Sequence, residues 1–420
     1  MIGSERYLPR MQELVVIVVG DEILQGRRTE ANAAWIARRA SEVGVFLSEA
    51  RIVSDAPGTL RDAVRSFRGC RVDIVVTGGL GPTRDDRTRG ELAEAFGVDL
   101  FEHPEARRAV EASYVRRGLA MDPKALVQAS LPVGAAMVPN PVGTAPGFRL
   151  EESGLSVTAL PGVPREMRAM WEESVEPRLV AGTDKPGIAR MFTHGLGESD
   201  QEARMADLPL EGVEFCSLPG PWGVELQCRV AGGDPSGRQV AAEHARQEVA
   251  ARLGDAVVKP LGATLLESLV SGLRTRGWQI ALGESCTAGL AASKIADLPG
   301  VSDVLAGGVV AYANEIKVRM LGVSPQTLER HGAVSQETAL EMARGARRLL
   351  SRDGFGMGVT GIAGPDGGSP EKPVGTVWIA LSGPFGERSE KLQLVGSREL
   401  VRERAAWRLL GLAWSEIQSY

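Results

Sequence analysis

From Leu14 to about Leu179 the chain alternates short β-branched runs with helical stretches, and this alternation restricts its fold more than any other feature. "LVVIVVG" is followed by "EANAAWIARRASEVG", "SEARIV", "GTLRDAVRSFRG" and "VDIVVTGG". Strand, helix, strand, helix, strand in succession predicts an α/β fold with a mostly parallel sheet covered by helices on both faces. The loops that follow such strands gather at one end of the sheet, where ligands bind.

The rhythm breaks at "AGTDKPG", around Gly182 to Pro186. "RMFTHGL" then reads as a strand, "SDQEARMADL" as a helix, "VEFCSL" and "VELQCRV" as a strand pair, and "GRQVAAEHARQEVAARLG" as an amphipathic helix. This order predicts a small α+β layer. The "GPWG" at 220–223 has the glycine spacing of the clamp in RNA-binding KH domains, but it joins two strands and carries no basic residue. A hairpin turn is the expectation. From about Gly262 a third unit runs through helix "ATLLESLVSGLRTRG", strand "WQIALGE", "GGVVAYANEIKVRML", a helix, strand "FGMGVT", two further β runs and a helix from near Arg398 to Ser419. In "SQETALEMARGARRLL", Ala339, Met342, Ala343, Ala346 and Leu350 fall on one helical face. Three units are expected, over residues 1–179, 180–260 and 261–420.

At 420 residues the chain is too long for one ordinary core. A net charge of −5 gives no electrostatic reason to expect direct nucleic-acid binding. Cys70, Cys216, Cys228 and Cys286 form no C-x-x-C pair, which argues against a zinc ribbon or a disulfide framework and fits a reducing cytoplasm. "LVVIVVG" is too short to span a bilayer and lacks the shape of a signal peptide, so no membrane is expected.

"VVTGGLGPTRDDRT" leaves a strand, turns on Gly78, Gly79 and Gly81, and enters a helix near Thr88. Free amides beside a helix N-terminus suit a phosphate. Asp85 and Asp86 would repel that phosphate unless a divalent cation lies between them, and "GDEIL" supplies Asp21 and Glu22 at the same sheet end. Alternatively the glycines only turn the chain, and Asp85 or Asp86 caps the helix. "NPVGTAPGF" and "LPGVPREM" are two more turn-rich stretches that either wall the same cleft or serve as turns.

"WQIALGESCTAG" runs from a buried strand into a helix. Ser285 stands at the turn, as a nucleophile or as an N-cap. None of the four histidines lies in a motif that suggests a partner for it. A lysine kept neutral by burial can take a serine proton, and Lys317, five residues after Tyr312, is the candidate; otherwise it is a solvated helix residue. The amides of Cys286 and Thr287, placed at the helix start, would donate to an oxyanion. Cys286 itself lacks a base and is expected to be packed. Thr360 and Gly361, with Gly364 and Gly367, place pliable backbone at another strand end, and Arg398 and Arg402 could pair with a phosphate there.

Together these stretches resemble the CinA family over almost the whole chain. "GDEILQG", "TGGLGPTRDDRT", "NPVGTAPGF" and "PGVPREM" are similar to its molybdopterin-binding (MoCF-like) domain. "ESCTAG", "GGVVAYANEIK", "HGAVSQETALEMA", "TGIAGPDGGSPEKPVGTVW" and "GSRELVRERA" are similar to its nicotinamide mononucleotide deamidase domain, and the middle segment to its KH-type linker domain. The resemblance implies a homodimer that deamidates nicotinamide mononucleotide in the third unit without a cofactor. Ser285 would be the nucleophile, Lys317 the base and Tyr312 an orienting group, with Cys286, Thr287, Thr360, Gly361, Arg398 and Arg402 around the substrate. It also implies that the first unit hydrolyses ADP-ribose to AMP and ribose 5-phosphate. Gly78, Gly79, Gly81 and Thr83 would hold the substrate, and Asp21, Glu22, Asp85 and Asp86 would hold Mg²⁺, Mn²⁺ or Co²⁺. Two other readings are a first unit that holds a pterin or nucleotide without turnover, and a competence factor linked to DNA damage. Ala288 stands where the family usually has glycine; its methyl is expected to crowd the helix start or a bound ligand, or else only to stiffen the turn.

Overall fold

The structure, a computed structural model, describes residues 13–180 and 185–419. Most of the linker expected at Gly182 to Pro186 lies outside the described residues. The chain divides into two compact units, one reaching to Pro186 and including Gly232–Pro235, the other formed by Gly187–Ala231 and the residues from Ser236 onward.

The first unit is built on a six-stranded sheet. Its strands are β1 (Glu13–Val19), β2 (Phe46–Val53), β3 (Val72–Thr77), β6 (Ala136–Val138), β7 (Gly147–Glu152) and β8 (Leu155–Leu160), in the order β2-β1-β3-β8-β7-β6. A short pair, β4 (Leu100–Glu102) and β5 (Ser130–Pro132), stands apart from it. β2, β1, β3 and β8 run parallel, while β7 and β6 are antiparallel. β1 shows why an unbroken β-branched run belongs in the middle of such a sheet. Val15 and Ile17 point into one hydrophobic cluster and Leu14, Val16 and Val18 into another, so both faces are covered. Each buried Val or Ile contributes roughly 1.5–3 kcal/mol relative to exposure. The helices are α1 (Asp21–Leu24), α2 (Asn32–Glu42), α3 (Thr59–Arg65), α4 (Thr88–Phe96), α5 (Pro104–Arg116), α6 (Pro164–Met170) and α7 (Glu176–Val180).

In the second unit, β9 (Gly187–Thr193), β10 (Val213–Gly220) and β11 (Gly223–Val230) form an antiparallel sheet in the order β10-β11-β9. It is accompanied by α8 (Glu198–Met205) and α9 (Pro235–Leu253). Gly220 pairs with Gly223 across Pro221 and Trp222, so "GPWG" is a hairpin turn, as expected. A second, five-stranded sheet has the order β13-β12-β14-β15-β16. Its strands are β12 (Gln279–Glu284), β13 (Leu305–Val310), β14 (Gly354–Gly361), β15 (Thr376–Gly383) and β16 (Gly386–Gln393). The first three are parallel and the last two antiparallel. On one face, Ile280 and Leu282 of β12 pack in the cluster that holds α10 (Leu265–Arg276) and α15 (Arg398–Gln418). On the other, Ala281 meets α12 (Asn314–Leu321) and α14 (Gln336–Arg347). The remaining helices are α11 (Leu290–Ala296) and α13 (Pro325–His331). Ala339, Met342, Ala343 and Ala346 are buried on α14 as expected, but Leu350 lies past the helix end and packs from the following turn.

Both large sheets place their first strand between the second and the third. From β1 the chain moves to one neighbour and then returns to the other, and from β12 it does the same. The crossovers therefore part at the carboxyl ends of β1 and β3, and of β12 and β14, which leaves a crevice at each switch point.

Candidate functional site

The first crevice is a cleft of about 470 Å³. Its floor is the loop Gly78–Pro82, its sides include Glu22, Asp55, Asp85 and Asp86, and its far wall comes from Thr144, Ala145 and Pro161–Pro164 with Glu166. Both turn-rich stretches thus wall the cleft. Asn140 ties them together: its Oδ1 accepts the Val142 and Gly143 amides, and its Nδ2 donates to Glu166 Oε2 at 2.8 Å.

Within the glycine loop the structure corrects one expectation. Gly78 N–H is not free, because it donates to Leu160 O at 3.0 Å in the sheet. Glycine is still required there, since a side chain at its φ of +104° would strike Val19 O. Neither Asp85 nor Asp86 caps α4, whose N-cap is Arg87 without a side-chain bond. Asp86 Oδ2 instead accepts both the amide and the hydroxyl of Thr83, at 2.8 and 2.5 Å, so Thr83 closes the turn. Behind the loop Arg89, only 4% exposed, donates to Leu80 O and Gly81 O. Burial lowers its pKa to about 10, with Asp86 opposing the shift, and it stays charged at neutral pH.

Asp55, which sequence reasoning missed, is the acid most perturbed by this site. It exchanges amide-to-carboxylate hydrogen bonds with Asp21 at 3.1 and 3.3 Å. Burial raises its pKa, and the charges of Asp21, Glu22 and Asp85 raise it further. Asp21, Glu22 and Asp85 thus gather their charge around Asp55 at one sheet end. Among the described residues, however, no three His, Cys, Asp or Glu side chains converge as a ready-made metal site. Asp55 had no signal beyond its place at a strand end, because nothing in "VSDAPG" resembles a ligand motif.

The second crevice lies where β12, β13 and β14 end. Ser285 follows β12, is 8% exposed, and donates its amide to Val359 O of β14 at 3.0 Å. Its hydroxyl has no hydrogen-bond partner among the described residues. The helix does not begin at Cys286: α11 starts at Leu290, with Gly289 as N-cap. Ser285 is therefore not a cap, and the Cys286 and Thr287 amides belong to a turn rather than to a helix start. Glu284 performs the capping. Its buried carboxylate accepts the amides of Gly289, Ala291 and Ala292 at 2.9 to 3.2 Å, so the helix dipole is already answered by an acid. Ala288 is exposed, so its methyl does not crowd the helix. It does adopt φ +52°, a left-handed conformation that costs an alanine about 1 kcal/mol.

Lys317 is 1% exposed and is not a solvated helix residue. Ala311 N–H donates to Glu284 O at 2.7 Å, which sets the end of β13 beside the residue that precedes Ser285. Lys317 Nζ donates to Ala311 O at 2.9 Å and Tyr312 O at 3.0 Å, and among the described residues no hydrogen bond joins it to the Ser285 hydroxyl. Burial lowers its pKa, and no carboxylate offsets the effect. Tyr312 thus holds Lys317 through its carbonyl, while its exposed ring is fixed by a 2.8 Å bond from Arg398 Nη2 to the phenol oxygen. Arg398 also donates to Gly364 O, and Arg402 clamps the turn through Cys286 O and Thr287 O at 3.1 and 2.9 Å. Among the described residues neither arginine has a carboxylate partner. Thr360, expected at a substrate, donates to Ala333 O at 2.7 Å, and Gly361 ends β14 beside it. Cys286 is packed as expected, its thiol pushed up to about 12 by burial. Among the described residues the buried Thr287 Oγ1 has no partner.

Two α/β modules, each with a switch point among the parallel strands of a mixed sheet, define the class of protein, and similarity to known chains supplies the family. Residues 15–181 match the family described as "Probable molybdopterin binding domain", and residues 262–415 match the CinA C-terminal domain. A CinA-like protein of Anaeromyxobacter sp. (strain Fw109-5) is 38% identical over 414 residues, covering 94% of this chain and 97% of its own. A CinA-like protein of Shewanella sp. (strain ANA-3) is 39% identical over 416 residues, covering 94% and 93%. Among solved structures, the competence/damage inducible protein CihA of Agrobacterium tumefaciens is 37% identical over 35% of this chain and 90% of its own, with a TM-score of 0.34. The chain belongs to the CinA family. Among the described residues no helix is long and apolar enough to cross a membrane.

Proposed function

We propose that the chain is a bifunctional hydrolase of pyridine-nucleotide turnover, a cytoplasmic homodimer whose second unit deamidates nicotinamide mononucleotide. The observation that carries this reading is the Lys317 amine. An ammonium has three N–H bonds and no lone pair, whereas a neutral amine has two N–H bonds and one lone pair. The two carbonyls that Lys317 meets account for both N–H bonds of the neutral form, and its lone pair would take the Ser285 proton once bound substrate brings the two groups within hydrogen-bond distance. Ser285 Oγ attacks the carboxamide carbon while Lys317 takes its proton, then returns it to the departing ammonia. Water repeats the sequence on the acyl-enzyme and releases nicotinate mononucleotide. Arg398 and Arg402, free of carboxylates, attract the nucleotide phosphate, with Thr360 and Gly361 at the adjoining strand end.

For the first unit the reading is hydrolysis of ADP-ribose to AMP and ribose 5-phosphate. Its support is the amide-lined loop facing a crowd of carboxylates. Asp21, Glu22, Asp85 and Asp86 would hold Mg²⁺, Mn²⁺ or Co²⁺, which would offset the diphosphate charge and acidify an attacking water. The amides of the glycine loop bind the diphosphate, and Asp55, with its raised pKa, is placed to accept a proton. Assay of the purified chain with each nucleotide, with and without Mn²⁺, tests both halves. Ammonia is expected from nicotinamide mononucleotide in either condition, and AMP from ADP-ribose only with metal. Retention of ADP-ribose with no AMP formed would make the first unit a scaffold instead. The competence and damage naming of relatives predicts salt-dependent retention on DNA, which a net charge of −5 disfavours.

A further inference from the structure

The glycine loop owes its shape to two residues that follow it. Gly78 O accepts the Thr88 hydroxyl at 2.8 Å, and Gly79 O accepts the Thr88 amide at 3.2 Å. The next two carbonyls, Leu80 O and Gly81 O, accept Arg89 Nη1 and Nη2, each at 2.7 Å. Four successive carbonyls are thereby drawn towards the start of α4. A trans peptide is planar and carries its N–H opposite its C=O. Holding these carbonyls therefore turns the N–H groups of Gly79, Leu80 and Gly81 the other way, and all three residues line the cleft. None of the three amides has a hydrogen-bond partner among the described residues.

Arg89 contributes more than geometry. A buried guanidinium is ordinarily paired with a carboxylate, because an unpaired charge is costly to desolvate. Among the described residues Arg89 makes no ion pair, Asp86 acting on it through its charge without direct contact, and its two hydrogen bonds both go to loop carbonyls. A cation at the carbonyl end of a peptide polarises it and strengthens the N–H at the other end as a donor. Resting on the reading of this cleft as a diphosphate site, we propose that Arg89 is its positioning residue. It holds the loop so that three amides converge on the anion, and it places a fixed positive charge behind them. It touches neither the anion nor the reacting atoms.

The test is calorimetric titration of the full chain with inorganic pyrophosphate in the presence of Mg²⁺, which requires no turnover. Arg89→Met is expected to weaken binding about tenfold or more, and Arg89→Lys, which keeps the charge but loses the fork, by about threefold. The same variants should raise KM for ADP-ribose and leave kcat within about twofold, the signature of lost uniform binding. Deamidation of nicotinamide mononucleotide by each variant should match the unaltered protein. If Arg89→Met does not fold, Arg89→Lys carries the test. Unchanged pyrophosphate affinity in either folded variant overturns the proposal while leaving the ADP-ribose reading intact, and absence of pyrophosphate binding by the unaltered protein also overturns it. Pyrophosphate binding without AMP release from ADP-ribose would instead end that reading, with Arg89 still judged by the titration.

Discussion

In the first unit the loops after β1 and β3 face each other across a cleft lined by Glu22, Asp55, Asp85 and Asp86, where the charges of Asp21, Glu22 and Asp85 bear on Asp55. In the second, the turns after β12 and β13 hold the buried Lys317 amine, while the buried Glu284 carboxylate beside them is engaged by helix amides. The two crevices occupy the same topological position, a switch point between parallel strands, yet their electrostatics are opposite. Burial and neighbouring acids raise the pKa of Asp55, whereas burial alone lowers that of Lys317. Each group is displaced towards its neutral form. One shared chain path therefore accommodates an acidic centre and a basic one, the difference residing in which side chains the strand-end loops carry.

The sharpest way to break this comparison is Ser285→Ala. Ammonia release should fall by at least about a thousandfold with ADP-ribose cleavage unchanged, and continued deamidation at full rate would remove Ser285 from the chemistry. Lys317→Met should cause a loss of similar order. With the deprotonated amine as the proposed base, deamidation should rise with pH through the Lys317 pKa, which lies below the ordinary lysine value of 10.5. A rate that falls over that limb would contradict the assignment. Asp55→Asn should slow ADP-ribose hydrolysis by about 10- to 100-fold and leave deamidation alone. Chelation should suppress the same activity selectively. Glu284→Gln acts on stability: weaker acceptance of three helix amides should cost roughly 1–2 kcal/mol in denaturant unfolding. Smallest of all, Ala288→Gly relieves a left-handed alanine and should shift stability by only a few tenths to about 1 kcal/mol.

Much of the fold could be read from periodicity. β1 and β12 are apolar throughout because both faces of a parallel sheet are covered, and α14 shows its buried face at helical spacing. The site was legible where chemistry and turn residues coincide, as in "TGGLGPTRDD" and "GESCTAG". Its hydrogen-bond assignments were not. Asp86 could as well have capped α4 as closed the Thr83 turn, and Ser285 could as well have capped α11 as stood free. Each choice depends on which donor lies within 3 Å, and adjacency in the chain does not decide that. Glu284 lies inside the quoted motif and was still passed over, because its partners are amides five to eight residues further on.

The amino-acid order alone determined which segments become strands and helices, where the glycines permit tight turns, and which family the motifs resemble, since all of these follow from local periodicity and residue type. Tertiary structure decided the states of the reactive groups. Lys317 loses its water only when α12 packs on the sheet, Asp55 gains three acidic neighbours only when separate loops meet, and Arg89 finds the glycine carbonyls only when α4 folds back beneath them. Desolvation and charge–charge interaction depend on distance through space, and folding sets those distances.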